Sequence, residues 1–96
     1  MPLDPNTTTP NVGKKGKFAV IIPVYNHENG IDEVVKKSLK LNLPVFVVDD
    51  GSTDSSCEKI RNYTGIYPLR HAENRGKGAA IMTGFIAAEK IADWAI

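Results

Sequence analysis

The chain has 96 residues, with 12 Lys and Arg against 11 Asp and Glu, a net charge of +1 and one cysteine. That length holds one modest domain at most, and the interspersed, nearly balanced charges exclude a basic field for nucleic acid. A lone Cys57 excludes a disulfide framework and fits a reducing compartment; no apolar run reaches membrane-spanning length, and no charged start with an apolar middle marks a signal peptide.

Residues 1–16 read as a disordered tail, carrying Pro2, Pro5, Pro10, Thr7-Thr8-Thr9, Gly13 and Gly16 and almost nothing to bury. Lys14, Lys15 and Lys17 solubilise that tail and fall short of a polybasic membrane patch. Asn6-Thr7-Thr8 and Asn62-Tyr63-Thr64 match the glycosylation sequon and are read as coincidence. The remainder, residues 17–96, carries the fold.

Phe18-Ala19-Val20-Ile21-Ile22 predicts a first buried strand that leaves the sheet at Pro23, which cannot donate to a ladder. A polar loop, Val24 to Gly30, follows. Ile31, Val34, Val35 and Leu39 then recur at helical spacing, with Asn29 expected as N-cap and Asp32 and Glu33 in the electropositive first turn. Pro44 opens a second strand, Val45-Phe46-Val47-Val48, apolar at every position and stopped by Asp49, Asp50 and Gly51. Strands of that kind belong in parallel sheets covered on both faces. Ser55-Ser56-Cys57-Glu58 fits a capping box and predicts a short helix to about Asn62. Ile66 to Arg70 is a weaker third strand that Pro68 confines to an edge, and His71 to Gly78 is its loop. A third helix is expected to bury Ile81, Phe85, Ala88 and Ile91, and Trp94-Ala95-Ile96 to begin a fourth strand.

Alternating strands and helices with right-handed crossovers predict an α/β, Rossmann-like, mostly parallel sheet of three to four strands with helices on both faces. Ligands bind such sheets off the carboxyl ends of the strands, and three loops gather there: Pro23–Gly30, Asp49–Asp54 and His71–Gly78. A dinucleotide fingerprint fails because the first turn is Pro-Val-Tyr-Asn, with no glycine before Gly30. A P-loop fails because Gly76-Lys77 runs into Gly78. A different nucleotide site fits. Tyr25 can stack on a base, Asp50 can accept from a base N–H, and Lys77 at a helix start can meet phosphate. Each has a plainer alternative. Tyr25 covers the sheet edge, Asp49 and Asp50 cap turns, Lys77 is a solvated charge, and Gly76 and Gly78 ease packing.

Val20-Ile21-Ile22-Pro23-Val24-Tyr25-Asn26, then Val47 to Asp54, then Glu73-Asn74-Arg75-Gly76-Lys77-Gly78-Ala79-Ala80 through Gly84-Phe85, resemble the family 2 inverting glycosyltransferases of the GT-A fold. The glycine-lysine-glycine segment is most similar to the dolichyl- or polyprenyl-phosphate sugar synthases. The resemblance implies the N-terminal, nucleotide-sugar-binding part of a GT-A domain. The full-length enzyme would pass a sugar, with inversion, from a nucleotide diphosphate donor of UDP or GDP type to an acceptor such as a lipid phosphate or cell-envelope glycan. By that similarity Pro23 and Tyr25 line the base pocket, Asp50 bonds the base with Asp49 and Gly51 beside it, Asn26 and Glu28 shape the first loop, and Lys77 and Gly78 sit near the donor.

Two departures stand out. Many relatives carry Glu after the Tyr-Asn pair, where this chain has His27, read as a loop residue rather than a metal ligand. The family's D-x-D motif, which holds Mg or Mn on the donor diphosphate, and its catalytic base would fall after Ile96. No catalytic or metal-binding residue is therefore expected in this chain, and it is expected to transfer no sugar alone. A cytoplasmic location, the cytoplasmic face of a membrane included, and self-association through an exposed sheet edge complete the expectations. The alternative from another class is a non-catalytic α/β nucleotide-binding or interaction module. A receiver-type signalling domain fits poorly, because its acids should follow the first strand.

Overall fold

The computed structural model describes residues 18–92. The tail and the expected strand at Trp94–Ile96 lie outside the described residues. Along the chain run β1 (Val20–Val24), α1 (Ile31–Leu39), β2 (Val45–Asp50), α2 (Ser56–Arg61), β3 (Tyr67–His71) and α3 (Lys77–Ala92). The three strands form one parallel sheet in the order β1-β2-β3. This is the expected α/β arrangement.

The centre strand is buried at all positions of Val45–Asp50 because helices cover both of its faces. Val45 and Val47 join Val24, Ile31, Val35 and Ile60 in one cluster, which seats α1 and α2 on one side. Phe46, Val48 and Asp50 point the other way, as alternation along a strand requires. There Phe46 stacks on Tyr67 of β3 with ring centroids 4.7 Å apart, and α3 lies across β1 and β2.

The face of α3 that meets the sheet is not the expected one. Ile81 and Phe85 are 43% and 50% exposed, whereas Ala80 and Ala88 are buried. Gly84, one turn from each, explains the change. A Cβ built there would stand 2.6 Å from Ile21 Cγ2 and 3.2 Å from Val48 Cγ2. A helix axis that close leaves room only for small residues at i, i+4 and i+8. Ile81, Met82, Phe85 and Ile86 are turned outward.

Smaller corrections follow from tertiary contacts. Pro23 lies inside β1, paired with Val48, instead of ending the strand. Among the described strands β1 is paired on one side only, so a missing N–H is tolerated. For the same reason Val20–Pro23 are half-buried rather than buried. Asn29 does not cap α1; Gly30 precedes the helix with no side-chain cap, and the N–H groups of Gly30 and Ile31 both donate to the His27 carbonyl. The Ser55–Glu58 capping box does not form either. Asp54 Oδ1 accepts from Ser56 N at 2.8 Å, and Glu28 Oε1 accepts from Ser55 N at 2.7 Å. Those carboxylates serve the orphan donors of α2 in its place. His71 belongs to β3, not to the loop after it.

Candidate functional site

The β1–α1 and β2–α2 loops are laced together by side chains. Asn26, at φ +50°, donates its N–H to Ser52 Oγ at 2.9 Å, and its Oδ1 accepts from Thr53 N at 2.8 Å. His27 N donates to Ser56 Oγ at 2.8 Å, and Glu28 N to Asp54 Oδ2 at 3.2 Å. Desolvation works against ionised Asp54, but the donors from Ser56 and Glu28 outweigh it and hold its carboxyl below the ordinary value. Gly51 presses the second loop onto the third. Its φ is +75°, and an added Cβ would collide with the backbone of Glu73 and Asn74. Only glycine meets both demands.

Asp50 organises the third loop. Its Oδ1 accepts from His71 Nδ1 at 2.7 Å and Arg75 N at 2.8 Å. Its Oδ2 accepts from Gly76 N at 2.8 Å and Asn74 Nδ2 at 3.1 Å. These donors fill the four lone-pair directions of a carboxylate. The His71 hydrogen bond is the largest cause of an Asp50 pKa below the ordinary value, ahead of an opposing desolvation and the two backbone donors. Asp49 is built otherwise. It faces the α1/α2 side, with Oδ1 accepting from Ser52 N at 3.0 Å and a buried Oδ2 that has no partner among the described residues.

Between the first and third loops lies an open cleft of about 440 Å³ lined by Pro23, Val24, Tyr25, His27, Asp50, Asn74 and Lys77. Tyr25 offers its ring from one wall, 49% exposed. Lys77 opens α3 on another and makes no ion pair among the described residues. Of the residues singled out from the sequence, Pro23, Tyr25, Asp50 and Lys77 meet here. Asn26, Glu28 and Gly51 form the lacework behind the cleft, Asp49 faces the other side of the sheet, and Gly78 sits in the first turn of α3 with open space beside it. Sequence reasoning missed Val24, His27 and Asn74 as lining residues and the pairing of buried His71 with half-buried Thr83 beneath Asp50. Asn74 and His71 sit in the charged loop segment already recognised, but their contacts to Asp50 cross 24 and 21 residues and leave no local pattern.

Among the described residues no three His, Cys, Asp or Glu side chains gather to hold a metal ion, and none of the helices is long and apolar enough to cross a membrane.

Residues 19–90 match the sequence model of Glycosyl transferase family 2. The chain belongs to that family. Within the family 2 relatives, it is 37% identical over 73 residues to the minor teichoic acid biosynthesis protein GgaA of Bacillus subtilis, covering 66% of this chain and 16% of that protein. Against the dolichyl-phosphate beta-glucosyltransferase of Dictyostelium discoideum the figures are 30% over 86 residues, 72% and 26%. Against the dolichol-phosphate mannosyltransferase of Pyrococcus furiosus they are 34% over 76 residues, 72% and 22%. The chain thus spans well under a third of the length of these relatives. No solved structure matches it.

Proposed function

We propose that the cleft binds the nucleotide of a nucleotide diphosphate sugar, as the donor-side part of a family 2 glycosyltransferase acting on a lipid phosphate or cell-envelope glycan. One observation carries this reading: Tyr25, Asp50 and Lys77 line a single cleft at the carboxyl ends of the strands. A base lying on the Tyr25 ring gains about 1–3 kcal/mol from stacking. Its phosphates extend toward Lys77 and the N-terminus of α3, where free N–H groups and a cation favour negative charge. Asp50 is the acidic wall that faces the base N–H groups. To bond one it exchanges a present donor, and Asn74 Nδ2, the longest of its four hydrogen bonds at 3.1 Å, is the one that yields. UDP and GDP both offer a suitable N–H.

The divalent metal that the resemblance implies does not fit the described residues, which bring no ligand set together. No step of transfer is assigned to them, and this reading has the 96-residue chain bind donor nucleotide without moving sugar. A cytoplasmic site of action, at the membrane face where a lipid-phosphate acceptor is presented, accompanies it. Calorimetric titration with UDP and GDP, with and without Mn²⁺, tests the reading. Binding of one nucleotide with little metal dependence is expected, weakened about tenfold by Tyr25→Ala, which corresponds to about 1.4 kcal/mol. Lys77→Ala should weaken the diphosphate but spare the bare nucleoside. Absence of binding by both nucleotides, or variants indistinguishable from the parent, contradicts it.

A further inference from the structure

Three of the four donors on Asp50 come from the loop that the carboxylate itself organises, Asn74, Arg75 and Gly76. A loop cannot serve as its own reference. The fourth donor comes from the rigid frame: His71 stands beside Asp50 in the strand register, and its ring is 6% exposed. Its Nδ1 lies 2.7 Å from Asp50 Oδ1 and its Nε2 2.8 Å from Thr83 Oγ1 on α3. An ionised carboxylate only accepts, so Nδ1 carries the proton. Nε2 pairs with the Thr83 hydroxyl, which can donate or accept, and both ring nitrogens are satisfied within β2, β3 and α3.

We infer that His71 is a positioning residue for the cleft: clamped by Thr83, it fixes the plane of the Asp50 carboxylate and through it the Asn74–Gly76 turn. The torsion that rotates a carboxylate about its Cβ–Cγ bond is broad and weakly directed, so a short bond from a buried, doubly held ring decides where Oδ1 and Oδ2 point. Those oxygens place Arg75 N and Gly76 N. Gly76, at φ +102°, gives its carbonyl to Ala80 N at 3.0 Å and so launches α3 with Lys77 as its first residue. Thr83, two turns further along the same helix, closes the circuit. The consequence for ligand binding rests on the nucleotide reading above; the consequence for the loop does not.

Isosteres separate positioning from packing. His71→Asn places an amide N–H where Nδ1 stands, His71→Gln places one where Nε2 stands, and His71→Leu keeps bulk alone. The readouts are the amide proton shifts of Arg75 and Gly76 and the affinity for UDP and GDP, with melting temperature as the control for packing. His71→Asn should keep both amides downfield and bind within about threefold of the parent. His71→Gln and His71→Leu should lose the downfield shifts and about tenfold or more in affinity, in line with a hydrogen bond to a charged group. Thr83→Val should move the amides in the same direction by less, and Thr83→Ser should not move them. Parental amide shifts in His71→Gln, or equal losses in the Asn and Gln variants tracking melting temperature alone, overturn the inference. If the parent binds neither nucleotide while the amides follow this order, the nucleotide reading fails and the positioning role stands.

Discussion

The two faces of the sheet are packed by different rules. On the α1/α2 face, branched side chains interlock: Ile31, Val35, Val45, Val47 and Ile60 are buried in one cluster. On the α3 face the helix comes so near, over Gly84, that its contact stripe is Ala80, Gly84 and Ala88 and its bulky residues face outward. The adjacent acids divide the same way. Asp49 enters the branched core with one oxygen unserved among the described residues, while Asp50 enters the close-packed side with four donors. Depth of burial therefore does not distinguish the two acids, at 1% and 2% exposed; the supply of donors does. A loop that must be shaped needs a saturated carboxylate, and only the α3 face provides one.

The largest effect expected from breaking this contrast is at Asp50. Asp50→Asn turns an acceptor into an NH₂ group that faces at least one N–H donor, leaving a buried clash of donors. A fall in melting temperature on the order of 10 °C is expected, together with loss of nucleotide affinity. Gly84→Val comes next. A Cβ and two methyl groups driven against Ile21 and Val48 should cost about 1–3 kcal/mol in chemical denaturation without touching the cleft loops. Acid comes third. Asp50 is held below its ordinary value of 3.8, first by the His71 hydrogen bond, and Asp32 below the same value, first by the Tyr63 hydroxyl. A lowered folded-state value means the contribution is complete above about pH 4 and is lost as pH falls through the folded value. Stability should decline as pH falls below about 4, and the decline should be shallower in Asp50→Asn. Asp49→Asn should change stability by no more than about 1 kcal/mol, since one oxygen has no partner to lose among the described residues. Phe85→Ser, half exposed on the outer face of α3, should stay within about 0.5 kcal/mol. A cost comparable to that of Gly84→Val would restore the helix face expected from apolar periodicity.

What could be read from the sequence follows from the range of the forces involved. β2 was legible because a run apolar at every position needs cover on both faces, a property of the residues themselves. The gathering of three loops at one edge followed from the order of the elements. The face of α3 was misassigned because periodicity counts apolar residues, whereas the sheet selected for lack of volume; Ala80, Gly84 and Ala88 at four-residue spacing were the overlooked signal. Both helix caps were misread because the donors are served from elsewhere: those of Gly30 and Ile31 at α1 by the His27 carbonyl, and those of Ser55 and Ser56 at α2 by Glu28 and Asp54. The role of Asp50 as a hub was out of reach, since its partners stand 21 to 26 residues away and two of them are backbone N–H groups that any residue carries.

Amide and side-chain shift mapping of the 96-residue chain during titration with UDP and GDP tests the central claim most directly. Perturbations concentrated at Tyr25, His27, Asn74 and Lys77, with Asp49, Arg61 and Arg70 on the opposite side of the sheet unmoved, are what the cleft predicts. Perturbations centred on Asp49 and α2, or none at saturating concentrations of both nucleotides, would contradict it.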